Sequence, residues 1–216
     1  MIHNISQNNP LVGQIMSELR DVNLQKDRMR FRRNLERLGE MFAYEIGGKM
    51  PSEQREITTP LGTALCLVLK EQPILATILR AGLPLHQGLL NVFDQADNAF
   101  ISAYRKHHKN GQFTIKLEYI SSPELDDRIV ILSDPMLATG ASMVLTLEQL
   151  YELGAPKEMH IVTVIACTEG IAELRRHFPT VHIWTAAIDE ELTAKGYIVP
   201  GLGDAGDLSF GEKTQD

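Results

Sequence analysis

The chain has 216 residues, 44% of them hydrophobic, enough to bury the core of one domain. Its formal charge of −7, from 21 basic against 28 acidic side chains, argues against a protein that coats nucleic acid. No run approaches the ~18 apolar residues of a membrane span, and residues 1–14 lack the basic start and apolar core of a signal peptide, so a cytoplasmic protein without membrane or nucleic-acid partners is expected.

Residues 11–48 read as helix, with Phe31, Leu35, Leu38 and Phe42 recurring on one apolar face and Gly47 and Gly48 closing it. Arg28, Arg30, Arg32, Arg33 and Arg37 in this stretch are expected to form a solvated face. A second helix is expected from Pro60 to about Glu71, with proline at its first position. Residues 73–79, PILATIL, form a buried strand that emerges at Arg80, and a helix follows from Pro84 to Val92. AFISAYR (99–105) and QFTIKLEYI (112–120) read as a strand pair joined by the polar loop KHHKNG. RIVILS (128–133) is a further strand and 141–153 a helix, stopped by Gly154 and Pro156. MHIVTVIAC (159–167), a helix near 169–177 and VHIWTAAI (181–188) complete the alternation. That pattern predicts an α/β fold, a mainly parallel central sheet flanked by helices, as a single domain over 1–216. Cys66 and Cys167 lie in apolar runs and are expected to be buried free thiols.

Near the C-terminus, KGYIVPGLGDAGDLSF (195–210) carries Gly201, Gly203 and Gly206 in the G-x-G-x-x-G spelling of a dinucleotide-binding turn. That turn works only between a strand and a helix, with an acidic residue some ~20 positions further on. Ten residues follow Gly206 and DLSFGEKTQD shows no helical period, so these glycines are expected to serve another purpose.

The segment richest in chemistry is RIVILSDPMLATGASMVLTLEQL. An apolar strand runs into Asp134, then Pro135, Met136, Leu137, Ala138, Thr139, Gly140, Ala141 and Ser142 lead into a helix. Ligands of parallel α/β sheets bind at the carboxyl ends of strands, beside helix N-termini whose N–H groups and dipole favour an anion. Thr139 and Ser142 add hydroxyl donors, and a Walker loop is excluded because no lysine occurs between Arg128 and Lys157. The same residues would equally start a helix that binds nothing. The seven histidines show no zinc-site spacing, and His107 and His108 read as solvated loop residues. Asp189 and Glu190 read as scaffolding of a surface or pocket.

DPMLATGAS resembles the phosphoribosyl-diphosphate (PRPP) signature of the uracil phosphoribosyltransferase family. ILRAGLPLHQGLL (78–90), AYR (103–105), AAIDEEL (186–192), GYIVPGLGDAGD (196–207) and NPLVGQIMSELRD (9–21) are similar to further segments of that family, so the resemblance covers nearly the whole chain. It implies a phosphoribosyltransferase domain with a helical N-terminal arm, 1–48, and a uracil-binding loop, 196–211. It implies transfer of the phosphoribosyl group of PRPP to N1 of uracil, giving UMP and pyrophosphate. PRPP would be held by Arg80, Arg105, residues 134–142 and Asp204, and uracil by Ile198, Gly203, Asp204 and Ala205, with catalytic roles for Asp204 and Arg105. Mg²⁺ would ride mainly on the pyrophosphate, without a metal site built by the protein. A homodimer or larger homo-oligomer is implied, with GTP as an effector in some members. Ala141, Thr193, Lys106 and Leu208 depart from the family pattern. A PRPP-sensing regulator of the same fold, or a phosphoribosyltransferase for another base, are the alternatives.

Overall fold

Runs such as Ile129–Ser133 are buried at every residue, which a strand allows only when both faces of its sheet are covered. The computed structural model, which describes residues 1–107 and 113–213 but not the side chains of 103–107 and 113–118, has that architecture. In chain order its elements are β1 (Ile2–Asn4), α1 (Pro10–Arg20), α2 (Arg28–Gly47), β2 (Ser52–Thr59), β3 (Gly62–Leu69), β4 (Ile74–Leu79) and α3 (Leu83–Val92). There follow β5 (Asp97–His107), β6 (Phe113–Ser121), β7 (Ile129–Ser133), β8 (Met136–Leu137), α4 (Ala141–Glu152), β9 (Glu158–Cys167) and α5 (Thr168–His177). The chain then forms β10 (His182–Asp189), β11 (Glu191–Leu192), β12 (Ile198–Val199) and α6 (Ala205–Phe210). The central sheet runs β1-β10-β9-β7-β4-β5-β6, with β8 also on β9, and only β6 is antiparallel to its neighbour.

Strand residues alternate between two cores, because successive side chains point to opposite faces. Leu75, Ile129, Ile131, Val162 and Trp184 meet α1, α2 and α3 on one face. Ile74, Val130, Leu132, Ile161 and Ile183 meet α4 and α5 on the other. Fully burying each such Leu, Ile or Val contributes about 1.5–3 kcal/mol. Both helix layers leave the carboxyl ends of β4 and β7 open, and Thr77 and Ser133 lock those ends together: Thr77 donates to Ser133 O and Ser133 to Ala76 O, each at 3.1 Å.

Four expectations are corrected. The helix expected over 11–48 is broken at 21–27, because the Asp21 carboxylate accepts from Asn23 and Leu24 N–H at 2.7 and 3.2 Å and ends one helix, while Asp27 caps the next. Pro60 does not open a helix: Pro60 and Leu61 form the turn of the β2–β3 hairpin, where its fixed φ serves equally well. Cys66 lies on that hairpin and is exposed, whereas Cys167 is buried as expected. A helix does form at the C-terminal glycines: the six-residue α6 begins at Ala205, takes in Gly206 and is too short to reveal a period in sequence. The KHHKNG loop falls largely outside the described residues, as does the side chain of His107.

Candidate active site

Of the residues that the resemblance assigns to PRPP, 134–142 run from the end of β7 through β8 into the first turn of α4. Asp134 is half-buried, with its N–H donating to Val162 O at 3.0 Å. Gly140 stands at the N-cap of α4 with φ 83°, and a Cβ there would lie 2.9 Å from Gly170 O. Only glycine satisfies both the left-handed backbone and this close packing. The first turn of α4 contains no acidic residue, and among the described residues no side chain caps it, apart from a long 3.4 Å contact of Ala141 N–H with Thr139 Oγ1. Its N–H groups and dipole are therefore available to an anion.

Across from this turn stands the C-terminal segment. Asp204 caps α6, its Oδ1 accepting from Asp207 N–H at 3.0 Å. Arg80, leaving β4, donates through Nη2 to Asp207 Oδ1 at 2.9 Å and to Gly211 O at 2.6 Å. The Phe210 ring meets two guanidinium groups, with Arg32 Cζ 5.9 Å and Arg80 Cζ 6.0 Å from its centre, and Arg32 also donates to Ser209 O at 2.6 Å. The arginine stretch of α2 is thus only partly solvated: Arg32 grips the C-terminal segment, and Arg30 and Arg33 pair with Glu18 and Glu36.

The two halves face one cavity of about 780 Å³. Arg80, Asp134, Met136, Leu137, Ala138, Thr139, Gly140, Ser142, Gly203, Asp204 and Ala205 all line it. Pro135, Ala141 and Ile198 do not: Pro135 is buried and accepts from Val164 and Ile165 N–H, Ala141 is exposed, and Ile198 packs into the core. The backbone of Arg105 pairs with Ile115 in the β5–β6 ladder, but its side chain lies outside the described residues. Lys195, Tyr197, Asp207 and Lys213 also line the cavity and were not anticipated. Lys195 and Tyr197 adjoin the glycine segment, but no spacing rule picks them out.

The lining mixes the cations of Arg80, Lys195 and Lys213 with the carboxylates of Asp134, Asp204 and Asp207. Among the described residues no three metal-ligating side chains cluster. This donor set fits Mg²⁺ that keeps waters and phosphate oxygens as ligands, not a cation enclosed by protein alone.

The model of a family described as uracil phosphoribosyltransferase matches residues 5–212. A uracil phosphoribosyltransferase of Porphyromonas gingivalis is 52% identical over 204 residues, 94% of each chain. One from Pyrococcus furiosus is 40% identical over 212 residues, 97% of this chain and 90% of the relative. The solved structure of the AQ2163 protein from Aquifex aeolicus superposes with a TM-score of 0.86 at 32% identity, covering 98% of both chains. Nearly the whole chain takes part in this likeness, and it belongs to the uracil phosphoribosyltransferase family.

Proposed function

We propose that the chain, acting as one phosphoribosyltransferase domain over 1–216, transfers the 5-phosphoribosyl group of PRPP to N1 of uracil, releasing pyrophosphate and forming UMP. The observation that carries this is the shared cavity, with an uncapped helix N-terminus on one side and a glycine-rich backbone segment on the other.

Residues 138–142 bind the 5′-phosphate through the first-turn N–H groups of α4, and Asp134 accepts from ribose hydroxyls. Arg80, with Arg105, meets the pyrophosphate, exchanging Asp207 and Gly211 O for phosphate oxygens. Uracil offers an acceptor–donor–acceptor edge, which backbone groups of the segment around Gly203–Ala205 can match without bulky side chains. Cytosine has an amino group and an unprotonated N3 at the corresponding positions and leaves buried partners unpaired, so it is rejected. The N1–C1′ bond forms as the C1′–O bond to pyrophosphate breaks, and the N1 proton passes to the departing pyrophosphate or to water. Catalysis comes from holding N1 against C1′ and from fixed charges around the developing cation, with Asp204 on the shared wall of both subsites. Mg²⁺, bound mainly through the pyrophosphate and water, would offset charge on the leaving group.

The enzyme is expected to work as a homodimer or larger in the cytoplasm. Self-association is supported by the β2–β3 hairpin, whose Leu61, Leu65 and Leu67 are 99%, 66% and 67% exposed. A GTP response belongs to the same proposal and is tested by adding GTP to the assay. The decisive assay measures pyrophosphate release from PRPP and Mg²⁺ with uracil, cytosine or hypoxanthine. Release with uracil alone, with UMP as product, is expected; no release, or preference for another base, would overturn the proposal.

A further inference from the structure

The segment that would read uracil owes its shape to a contact outside the cavity. Gly201 has φ 60°, and a Cβ there would stand 2.0 Å from Ile198 O, so the chain folds tightly back on itself. Both of its backbone groups are held. Its N–H donates to Asp189 Oδ2 at 2.9 Å, and its carbonyl accepts from Arg20 Nη1 at 3.0 Å. Arg20 and Asp189 close the circuit with each other, Nη1 to Oδ2 at 2.8 Å and Nη2 to Oδ1 at 2.7 Å. The pair is largely out of solvent, with Asp189 8% and Arg20 26% exposed.

Each partner ends a regular element, Arg20 the helix α1 and Asp189 the strand β10. Gln25 Nε2 donates to Leu19 O and Arg20 O at 3.1 and 3.3 Å, and Gln25 Oε1 lies 3.9 Å from where a Cβ on Gly203 would stand. The hydrogen bonds from Arg20 are the main cause holding the Asp189 carboxyl below its ordinary pKa, with burial opposing and the Gly201 N–H assisting. Neither Arg20 nor Asp189 lines the cavity.

A base read by backbone groups demands a loop fixed in place, because no side chain can adjust to it. Productive geometry tolerates about 0.5 Å, and a misplacement of ~1 Å can cost ~100-fold. Gly201 is buried, so its N–H and C=O need protein partners, and holding both with two opposite charges fixes direction as well as distance.

We propose that Arg20 and Asp189 are positioning residues for the nucleobase: the Arg20–Asp189–Gly201 clamp sets the register of the 201–205 backbone and so governs affinity for the base rather than for PRPP. This rests on the uracil phosphoribosyltransferase reading of the cavity. Arg20→Lys keeps the charge but cannot serve Asp189 and Gly201 with a planar fork, whereas Asp189→Asn removes the charge that orders Arg20.

Steady-state kinetics of both variants and the wild type, with each substrate varied in turn, test the proposal. Asp189→Asn is expected to raise KM for uracil ~10-fold or more, Arg20→Lys to raise it less, and KM for PRPP to stay essentially unchanged in both. Folded variants whose KM values for the two substrates move together, or do not move, would overturn the clamp, as would failure of both variants to fold. A wild-type enzyme that releases no pyrophosphate with uracil would instead sink the functional reading beneath it.

Discussion

Arg80 and Asp207 form an ion pair on the wall of the cavity, Nη2 to Oδ1 at 2.9 Å, with the two side chains 36% and 31% exposed. A pair this accessible contributes only about 0–1 kcal/mol to folding, so Arg80 can be recruited by a ligand at small cost. Arg80→Ala is expected to lower kcat/KM for PRPP by ~100-fold, with little change in melting temperature. Asp207→Asn removes the competing charge, and pyrophosphate should then inhibit at a few-fold lower concentration. Product-inhibition kinetics on the two variants check both statements.

Gly140→Ala should damage stability and phosphate binding together. The left-handed φ of 83° costs an L side chain about 1–2 kcal/mol. The added Cβ must also push away Gly170 O, which lies 2.9 Å from its position. Chemical denaturation is expected to show a loss of about 1–3 kcal/mol, and titration with UMP a weaker complex, because the N-terminus of α4 moves with Gly140.

Leu65→Glu and Leu67→Glu on the β2–β3 hairpin should lower the oligomeric state seen by sedimentation without unfolding the subunit. Both leucines are about two-thirds exposed, at 66% and 67%, so the subunit itself gains little from burying them. An unchanged sedimentation profile would contradict a role for the hairpin in self-association.

How legible each feature was follows from how far its cause extends along the chain. Asp134 to Ser142 carries its chemistry within nine consecutive residues, and the strand, turn and helix that position it are local. The Arg80–Asp207 pair spans 127 residues and the Arg20–Asp189 pair 169, and no spacing rule connects such positions. The hairpin was misread because the apolar run LCLVL satisfies a helix or a strand about equally, and Pro60 suits a helix start as well as a turn. The Gly201, Gly203 and Gly206 spelling does sit between a strand, β12, and a helix, α6, which begins at Ala205, but six residues are too few to show a helical period in the sequence.

Histidines on β1 and β9 should make stability depend on pH. The His3 ring stacks on Trp184 at 4.1 Å between centroids, with Lys49 Nζ 3.2 Å from its Nδ1 and His182 beyond at 6.0 Å. Burial, followed by Lys49, His182, the N-terminal amine and His160, lowers its pKa from 6.5 to about 4. His160, which accepts from Trp184 Nε1 at 3.1 Å and meets Glu158 at 3.2 Å, is also lowered, chiefly by burial. A depressed histidine pKa means that the unfolded chain binds more protons between the two values, so stability is full above 6.5 and falls as pH drops toward about 4. Urea unfolding across this window should show that slope, and His3→Gln should flatten it.

The most direct test of the shared cavity is a crystal structure of the enzyme with UMP bound. The 5′-phosphate is expected against the N–H groups of residues 138–142 and the pyrimidine edge against the backbone around Gly203–Ala205. A phosphate seated away from the N-terminus of α4, or a base that leaves the glycine segment untouched, would contradict the account.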